Sequence, residues 1–234
     1  GIKKGAVGLY RTDPLTGKDR LIETLGPTEA PGMYAKVFIK ENSLTVRVLS
    51  TNTCTKVELM KLNGNAVGDQ GAKCIAESIR REQSLVTLLD LGLNRIGDEG
   101  VEYLAESFAK KTCKVTTLNL SHNRLSDAGA IRLAEVFEKK SCSITSLDLT
   151  DNNIGDDGAA RIAEALKKEE CSIISLKLAL NKIGPLAIMK LGEALQMETC
   201  KVVSINMGHN QKLTNQAKKA ISGVYKKTMR LDVV

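Results

Sequence analysis

Aromatic residues are scarce in this chain of 234 residues, which has no tryptophan, four tyrosines and three phenylalanines. It also lacks any apolar run near the roughly 18 residues that a membrane-spanning helix needs. A secretion signal, with a charged start, an apolar stretch and a cleavage site, is missing as well. We therefore expect a soluble, unsecreted protein, and the length is enough for one core or one elongated array.

The charge is unevenly distributed along the chain. Residues 1–53 carry 8 basic and 5 acidic residues, residues 54–210 carry 20 and 21, and residues 211–234 carry 6 and 1. The formal net charge of +7 therefore belongs to the two ends. Because nucleic-acid-binding proteins present basic residues on a folded face, this distribution argues against nucleic acid as a partner except at the basic ends.

One phrase recurs along the chain at a fixed spacing. It reads LDLGLNRIGDEG at 89–100, LNLSHNRLSDAG at 118–129 and LDLTDNNIGDDG at 147–158. Apolar residues stand eight, five and three places before the asparagine of each copy. A fixed period between 20 and 50 residues is typical of a solenoid. Successive asparagines are 29 residues apart, at Asn65, Asn94, Asn123, Asn152, Asn181 and Asn210.

Each copy predicts one strand and one helix. Alternating Leu-x-Leu indicates a short strand with one buried face, and the asparagine then turns the chain. Pro185 occupies the helix start of the fifth copy, where a first turn tolerates it. In the other copies we expect an aspartate to cap its own helix, because a carboxylate accepts hydrogen bonds from free backbone N–H groups. These aspartates are Asp69, Asp98, Asp127 and Asp156.

The phrase and its length resemble the leucine-rich repeat, in the long version found in ribonuclease inhibitor. The resemblance covers about residues 54–234 and implies a right-handed α/β solenoid, a short arc with a parallel β-sheet inside and helices outside. It also implies that the six asparagine side chains form a ladder by bonding the backbone of neighbouring turns. Function does not follow, because many unrelated activities use this scaffold.

We predict two regions, with the boundary at residue 53. Residues 54–234 form the leucine-rich-repeat domain, six 29-residue repeats and a C-terminal cap made of a helix at 214–227 and a strand in which Leu231 takes the register of Val202. Within 1–53, the alternation at 36–49 predicts a β-hairpin that covers the first repeat, since solenoids need caps. The turn-rich segment 11–32 before it is interpreted as an arm.

Four cysteines share the 29-residue period, whereas Cys54 and Cys74 lie outside it. A zinc site needs ligands that converge tetrahedrally, and a straight row along a solenoid does not converge. We therefore predict reduced thiols buried behind the strands, with no metal, no cofactor and no redox role. Closely packed free thiols indicate a reducing, cytoplasmic compartment. The row is Cys113, Cys142, Cys171 and Cys200.

Charged residues keep the same period on the helices. Four of the five glutamates of one row are followed four residues later by a basic residue, a spacing that favours ion pairs on a helix, and the fifth is followed by Met197. This pattern predicts a solvated outer face, and the alternative is a basic edge for an acidic partner. The glutamates are Glu77, Glu106, Glu135, Glu164 and Glu193, and the basic residues that follow are Arg81, Lys110, Lys139 and Lys168.

The sequence contains a histidine that could suggest catalysis. His122 stands beside Ser121 and shares its register with Asp151 one strand over. A hydrolase needs a nucleophile, a base and an oxyanion site in a pocket, which a shallow curved sheet does not offer. We therefore predict no enzyme. The candidates for contact with a partner on the concave face are Lys61, Asp90, Asn119, Asp148, Lys177, Asn206, His122, Asp151 and His209.

These patterns predict a non-enzymatic interaction module or scaffold that binds another protein through the solenoid surface and a basic end. That end consists of Lys218, Lys219, Lys226, Lys227 and Arg230. One alternative is a GTPase-activating protein resembling the Ran-directed family, which shares this repeat type; that family carries an acidic tail, whereas the tail here is basic and no functional residue matches. Another alternative is a structural subunit held in a large cytoskeletal, flagellar or ribonucleoprotein assembly.

Overall fold

The computed structural model describes the backbone of residues 6–12, 19–27, 33–40, 43–50, 58–210 and 230–232, and the side chains of residues 58–210. Strands β1 (Ala6–Thr12), β2 (Asp19–Pro27), β3 (Met33–Lys40) and β4 (Ser43–Ser50) form a sheet in the order β2-β1-β3-β4. β3 and β4 pair antiparallel, which confirms the predicted hairpin. β1 and β2 were not predicted, and the segment interpreted as an arm contains β2.

Strands and helices alternate through the repeats, with strand partners 29 residues apart. The parallel strands are β5 (Leu59–Lys61), β6 (Leu88–Asp90), β7 (Thr117–Asn119), β8 (Ser146–Asp148), β9 (Ser175–Lys177) and β10 (Ser204–Asn206). The helices are α1 (Gly68–Ile79), α2 (Asp98–Phe108), α3 (Asp127–Phe137), α4 (Asp156–Leu166) and α5 (Pro185–Gln196). The predicted α/β solenoid is therefore confirmed. None of the helices in the described segments is both long and apolar enough to cross a membrane.

The core lies between the sheet and the helices and repeats from one unit to the next. In the third unit it contains Leu118 from the strand, Leu120 directly after the strand, Leu125 from the turn, and Leu133 and Phe137 from the helix, all buried. The helical pair is four residues apart, so both side chains lie on the face that packs against the sheet. Each unit buries its apolar face against its neighbours, which is why the stack holds one register without insertions.

The last strand, β11 (Arg230–Asp232), pairs parallel with β10 at the end of the sheet. This confirms the predicted cap strand, but its predicted register is wrong, because Leu231 aligns with Ile205 and not with Val202. Arg-Leu-Asp repeats the polar-apolar-polar pattern of Ser-Ile-Asn, so its central leucine pairs with the central apolar residue of β10. The predicted helix at 214–227 and the basic end up to Lys227 lie outside the described residues.

Candidate interaction surface

The ladder asparagines fix the turn that follows each strand. The Oδ1 atom of Asn94 accepts hydrogen bonds from the backbone of Asn65 at 2.8 Å and Val67 at 3.3 Å, and its Nδ2 donates to the Leu62 carbonyl at 2.7 Å. A buried amide is stable only when it is hydrogen-bonded in this way. Asn65 Nδ2 donates to the Asn63 carbonyl of its own turn at 3.0 Å. The other asparagines bond the preceding turn as Asn94 does, at Asn123, Asn152, Asn181 and Asn210.

The residue before each ladder asparagine has a left-handed backbone. The φ angle is 73° at Gly64 in the first repeat, and it lies between 53° and 57° in the next five, at Leu93, His122, Asp151, Leu180 and His209. This conformation costs a residue with a side chain about 1–2 kcal/mol, whereas glycine adopts it freely. The leucines at two of these places are 54% and 44% exposed. Five repeats thus present a side chain to solvent where glycine would be more stable.

A second exposed row lies two residues further along each turn. We call the two rows together the turn edge, and neighbouring repeats along it are about 4.8 Å apart. Within residues 58–210, the three cations of the second row make no salt bridge. The turn edge consists of Gly64, Leu93, His122, Asp151, Leu180 and His209, and of Ala66, Arg95, Arg124, Asn153 and Lys182.

His122 and Asp151 form an exposed pair on the turn edge. The His122 Nδ1 atom lies 2.6 Å from Asp151 Oδ2, and the two side chains are 42% and 54% exposed. Ser121, adjacent in sequence, is buried, and its side chain makes no hydrogen bond to His122 within the described part of the chain. The pair therefore links the third and fourth repeats at the surface, and among residues 58–210 no serine, threonine or cysteine side chain is hydrogen-bonded to it.

The polar residues on the exposed face of the sheet are bonded to one another. Asn119 Nδ2 donates to Asp90 Oδ1 at 2.8 Å, and Lys177 Nζ donates to Asp148 Oδ2 at 3.0 Å. Asp90, Asn119, Asp148 and Asn206 also accept from the backbone N–H two residues further on. The structure thus places five of the predicted candidates on this face with much of their hydrogen-bonding capacity engaged, and Lys61 lies on the same face in β5.

The aspartates at the helix starts cap a different helix from the one predicted. Asp98 Oδ1 accepts from the backbone of Ser126 at 2.8 Å and Gly129 at 2.9 Å, which both belong to the start of α3 in the next repeat. Asp98 itself is the first residue of α2, so its side chain lies beside the neighbouring helix. The prediction that each aspartate caps its own helix is therefore wrong. The same bonds to the next repeat form at Asp69, Asp127 and Asp156.

The cysteine row lies in the core. Cys113, Cys142 and Cys171 are buried, Cys200 is partly buried, and all four are free thiols. Burial raises the pKa of each thiol, and it raises the pKa of Cys142 to about 11. A thiol with a raised pKa is a poor nucleophile, so these residues serve packing. No cluster of three or more metal-ligating side chains occurs among the described residues.

The predicted ion pairs four residues apart on the helices do not form among residues 58–210. Helices α2, α3 and α4 end at Phe108, Phe137 and Leu166, so the basic residues at 110, 139 and 168 lie beyond the helical turn that would bring them into reach. Other pairs form instead. Glu138 accepts two hydrogen bonds from Arg161 of the next repeat, at 2.8 and 2.9 Å. Lys167 bonds Glu164 three residues earlier.

Sequence reasoning missed the leucines and cations of the turn edge. Leu93 and Leu180 lie one place before a ladder asparagine, outside the apolar positions that the strand and helix bury. An apolar residue at that place in the period was the signal that could have found them. On the opposite edge of the sheet lies a shallow groove of about 450 Å³. It contains none of the predicted candidates and is lined by Glu58, Leu85, Thr87, Lys114, Thr116 and Ser143.

Comparisons with known proteins agree with this architecture. A family model described as Leucine Rich repeat matches residues 53–76, 83–105, 111–134 and 140–163. The solved structure of Leiomodin-1 Actin-Binding Site 2 is similar, with 17% sequence identity, a TM-score of 0.53, and coverage of 65% of this chain and 86% of that chain. At this identity the likeness shows the fold alone. No curated protein sequence matches the chain.

Proposed function

Because this chain is a leucine-rich-repeat protein, we propose that it is a non-enzymatic interaction module that binds another protein through its turn edge. Repeats of this kind generally serve as binding scaffolds. One observation carries the choice of surface. Leu93 and Leu180 are held half exposed in a left-handed backbone, three repeats apart on the same row.

Stability does not account for these two leucines. Their position needs a left-handed backbone, which glycine adopts without cost, as Gly64 does in the first repeat. An exposed leucine also forgoes the stabilisation of roughly 1.5–3 kcal/mol that full burial of such a side chain provides. A partner that covers the leucines recovers that contribution. The turn edge therefore has the features of a surface that is completed by binding.

The remaining surfaces support this proposal less well. The sheet face uses its carboxylates and amides within the protein, so a partner there would have to displace existing bonds such as that between Lys177 and Asp148. The His122–Asp151 pair is exposed and lacks a nucleophile, which supports the non-enzymatic assignment. The predicted basic end stays a prediction, since its side chains lie outside the described residues.

Affinity purification from cells that express the protein tests the choice of surface. The turn-edge variant combines Leu93→Ser and Leu180→Ser, which leave the core untouched. The matched control combines Ile174→Ser and Val203→Ser, two exposed apolar residues at the opposite end of the strands. We expect the same specific partner with the unaltered protein and the control, and its loss with the turn-edge variant. Equal recovery with the turn-edge variant would contradict the proposal.

Filamentous actin is one defined partner to test, since the similar leiomodin fragment is by name an actin-binding site. If the unaltered protein sediments with actin and the turn-edge variant does not, actin is identified as the partner. Cosedimentation that persists with this variant would place an actin site elsewhere on the chain and count against the turn edge. If the unaltered protein does not sediment with actin, the partner is another protein.

A further inference from the structure

We propose that the turn edge binds an acidic protein segment that also carries a bulky apolar side chain. This inference rests on the proposed function and adds the chemistry of the partner. It is carried by a row of cations that have no carboxylate partner within residues 58–210, and by two exposed leucines of the fifth repeat.

Three cations of the turn edge have no counter-charge among the described side chains. Arg95 and Arg124 hold the same register in neighbouring repeats, so their backbones are about 5 Å apart. Like charges at this separation repel each other. Lys182 continues the same row two repeats beyond Arg124. Among the side chains of residues 58–210, no carboxylate lies within salt-bridge distance of these three cations.

Most carboxylates near the turn edge are already engaged. Asp151 bonds His122, and the capping aspartates, such as Asp98, accept hydrogen bonds from the start of the next helix. The exposed acids of the adjoining helix starts are Glu99, which accepts from the Tyr103 hydroxyl at 3.0 Å, and Asp157. Carboxylates from another chain are therefore the best partners for this row of cations. Arginine can form two parallel hydrogen bonds with one carboxylate.

The fifth repeat, which carries Lys182, also exposes two leucines. Leu180 is 44% exposed and Leu186 is 61% exposed, and they stand on either side of Lys182 in the sequence. The place of Leu186 is taken by small or polar residues in the other helices, at Gln70, Glu99, Ala128 and Asp157. A large apolar side chain at the start of the helix is thus confined to the fifth of the five described helices.

This combination favours a protein segment over nucleic acid. Single-stranded nucleic acid is held by aromatic side chains on which bases stack. The turn edge between Gly64 and His209 contains no tryptophan, tyrosine or phenylalanine. Leu180 on the turn edge and Leu186 in the first turn of α5 suit an apolar side chain, which proteins supply and a phosphate backbone does not.

The spacing of the contacts predicts a motif. From the midpoint between Arg95 and Arg124 to Lys182 is two and a half repeats, about 12 Å. An extended chain covers that distance in roughly four residues. The partner segment should therefore carry one or two acidic residues about four positions away from a leucine, isoleucine, methionine or phenylalanine.

Selection from a phage library of random dodecapeptides tests this motif and does not require the natural partner. The library is selected on the purified full chain, and the enriched peptides are remade and measured by fluorescence anisotropy. Two charge-reversal variants are compared. The arginine variant combines Arg95→Glu and Arg124→Glu. The matched lysine control has the same change in net charge and combines Lys114→Glu and Lys140→Glu, both exposed and away from the turn edge.

We expect enriched peptides with the acidic and apolar motif, whose affinity is about tenfold or more lower for the arginine variant and changes little for the lysine control. Raised salt should weaken them as well. Neutral or basic peptides that still require the turn edge would overturn the acidic partner and leave the proposed function standing. Peptides that bind both variants equally, no enrichment at all, or tighter binding of an oligouridine than of any peptide would overturn the proposal.

Discussion

Replacing Asp98 with alanine should destabilise the start of α3, the helix of the next repeat, more than the start of α2, to which Asp98 belongs. The change leaves the backbone N–H groups of Ser126 and Gly129 without their acceptor. Loss of one capping carboxylate typically costs about 1 kcal/mol and up to about 2 kcal/mol. Because Asp98 also accepts from the Ser126 hydroxyl, we expect a loss near the upper value, about 2 kcal/mol.

Gly129 provides a second arm of the same experiment. A Cβ atom at this position would lie 2.5 Å from Asp98 Oδ1, so Gly129→Ala must push the carboxylate away. Alanine also gains about 1 kcal/mol of helix propensity over glycine. For Gly129→Ala alone, the gain in helix propensity and the loss of the hydrogen bonds to Asp98 roughly cancel in the free energy of unfolding. In the Asp98→Ala background only the gain remains, so the double variant should be more stable than Asp98→Ala by about 1 kcal/mol.

Urea unfolding of the four proteins measures these free energies, and amide hydrogen exchange locates the effect at Ser126 and Gly129. Asp157→Ala is the matched control, because Asp157 is an exposed carboxylate in a first helical turn and should cost only a few tenths of a kcal/mol. If Asp98→Ala is as mild as this control, or loosens the start of α2 instead of α3, capping across repeats is refuted. Additive effects in the double variant would refute the close contact with Gly129.

Three further predictions address charge, thiols and enzymatic activity. The hydrogen bond from Arg161 lowers the pKa of Glu138, so this carboxylate stabilises the fold above its unfolded-state pKa, and the stabilisation is lost as pH falls through the lowered pKa. Glu138→Gln should therefore be less stable than the unaltered protein near pH 7, and urea midpoints of the two proteins should converge on acidification; a constant gap would contradict this. The thiol of Cys142, with a pKa of about 11, should label with maleimide slowly until denaturant is added, as should Cys113 and Cys171; rapid native labelling would bring back a redox or metal role. Addition of the protein should not accelerate GTP hydrolysis by small GTPases, and a clear acceleration of any one would support the activating-protein alternative.

The repeating part of the fold could be predicted because a solenoid reduces the problem to one dimension. Each residue packs against the residue 29 positions away, so the recurrence of Leu118 and Leu147 locates strands, and the recurrence of Asn94 and Asn123 locates turns. Outside that period the prediction was weaker. β1 and β2 were missed because their segment lies outside the period. The register of Leu231 was extrapolated from the 29-residue period, whereas the pairing of β11 with β10 determines it.

Contacts between adjacent repeats were the harder part. Asp98 stands at a helix start, and its spacing to its own helix and to Ser126 gives no indication of which one its side chain reaches. Lys110 and Lys139 have the spacing of helical ion pairs, but α2 and α3 end before them. Of the candidate surface, His122, Asp151 and His209 were identified from sequence. Leu93 and Leu180 were not, since only their place in the 29-residue period, and no feature of the neighbouring residues, indicates their left-handed backbone.

Hydroxyl-radical footprinting of the free protein and of its complex with the partner recovered by affinity purification tests the central claim most directly, because side-chain oxidation reports solvent exposure. Binding through the turn edge predicts that Leu93, His122 and Leu180 become protected in the complex, while Ile174 and Val203, exposed at the opposite end of the strands, keep their oxidation rates. Unchanged oxidation of the three turn-edge residues, with protection of the sheet face or of the opposite edge, would contradict it.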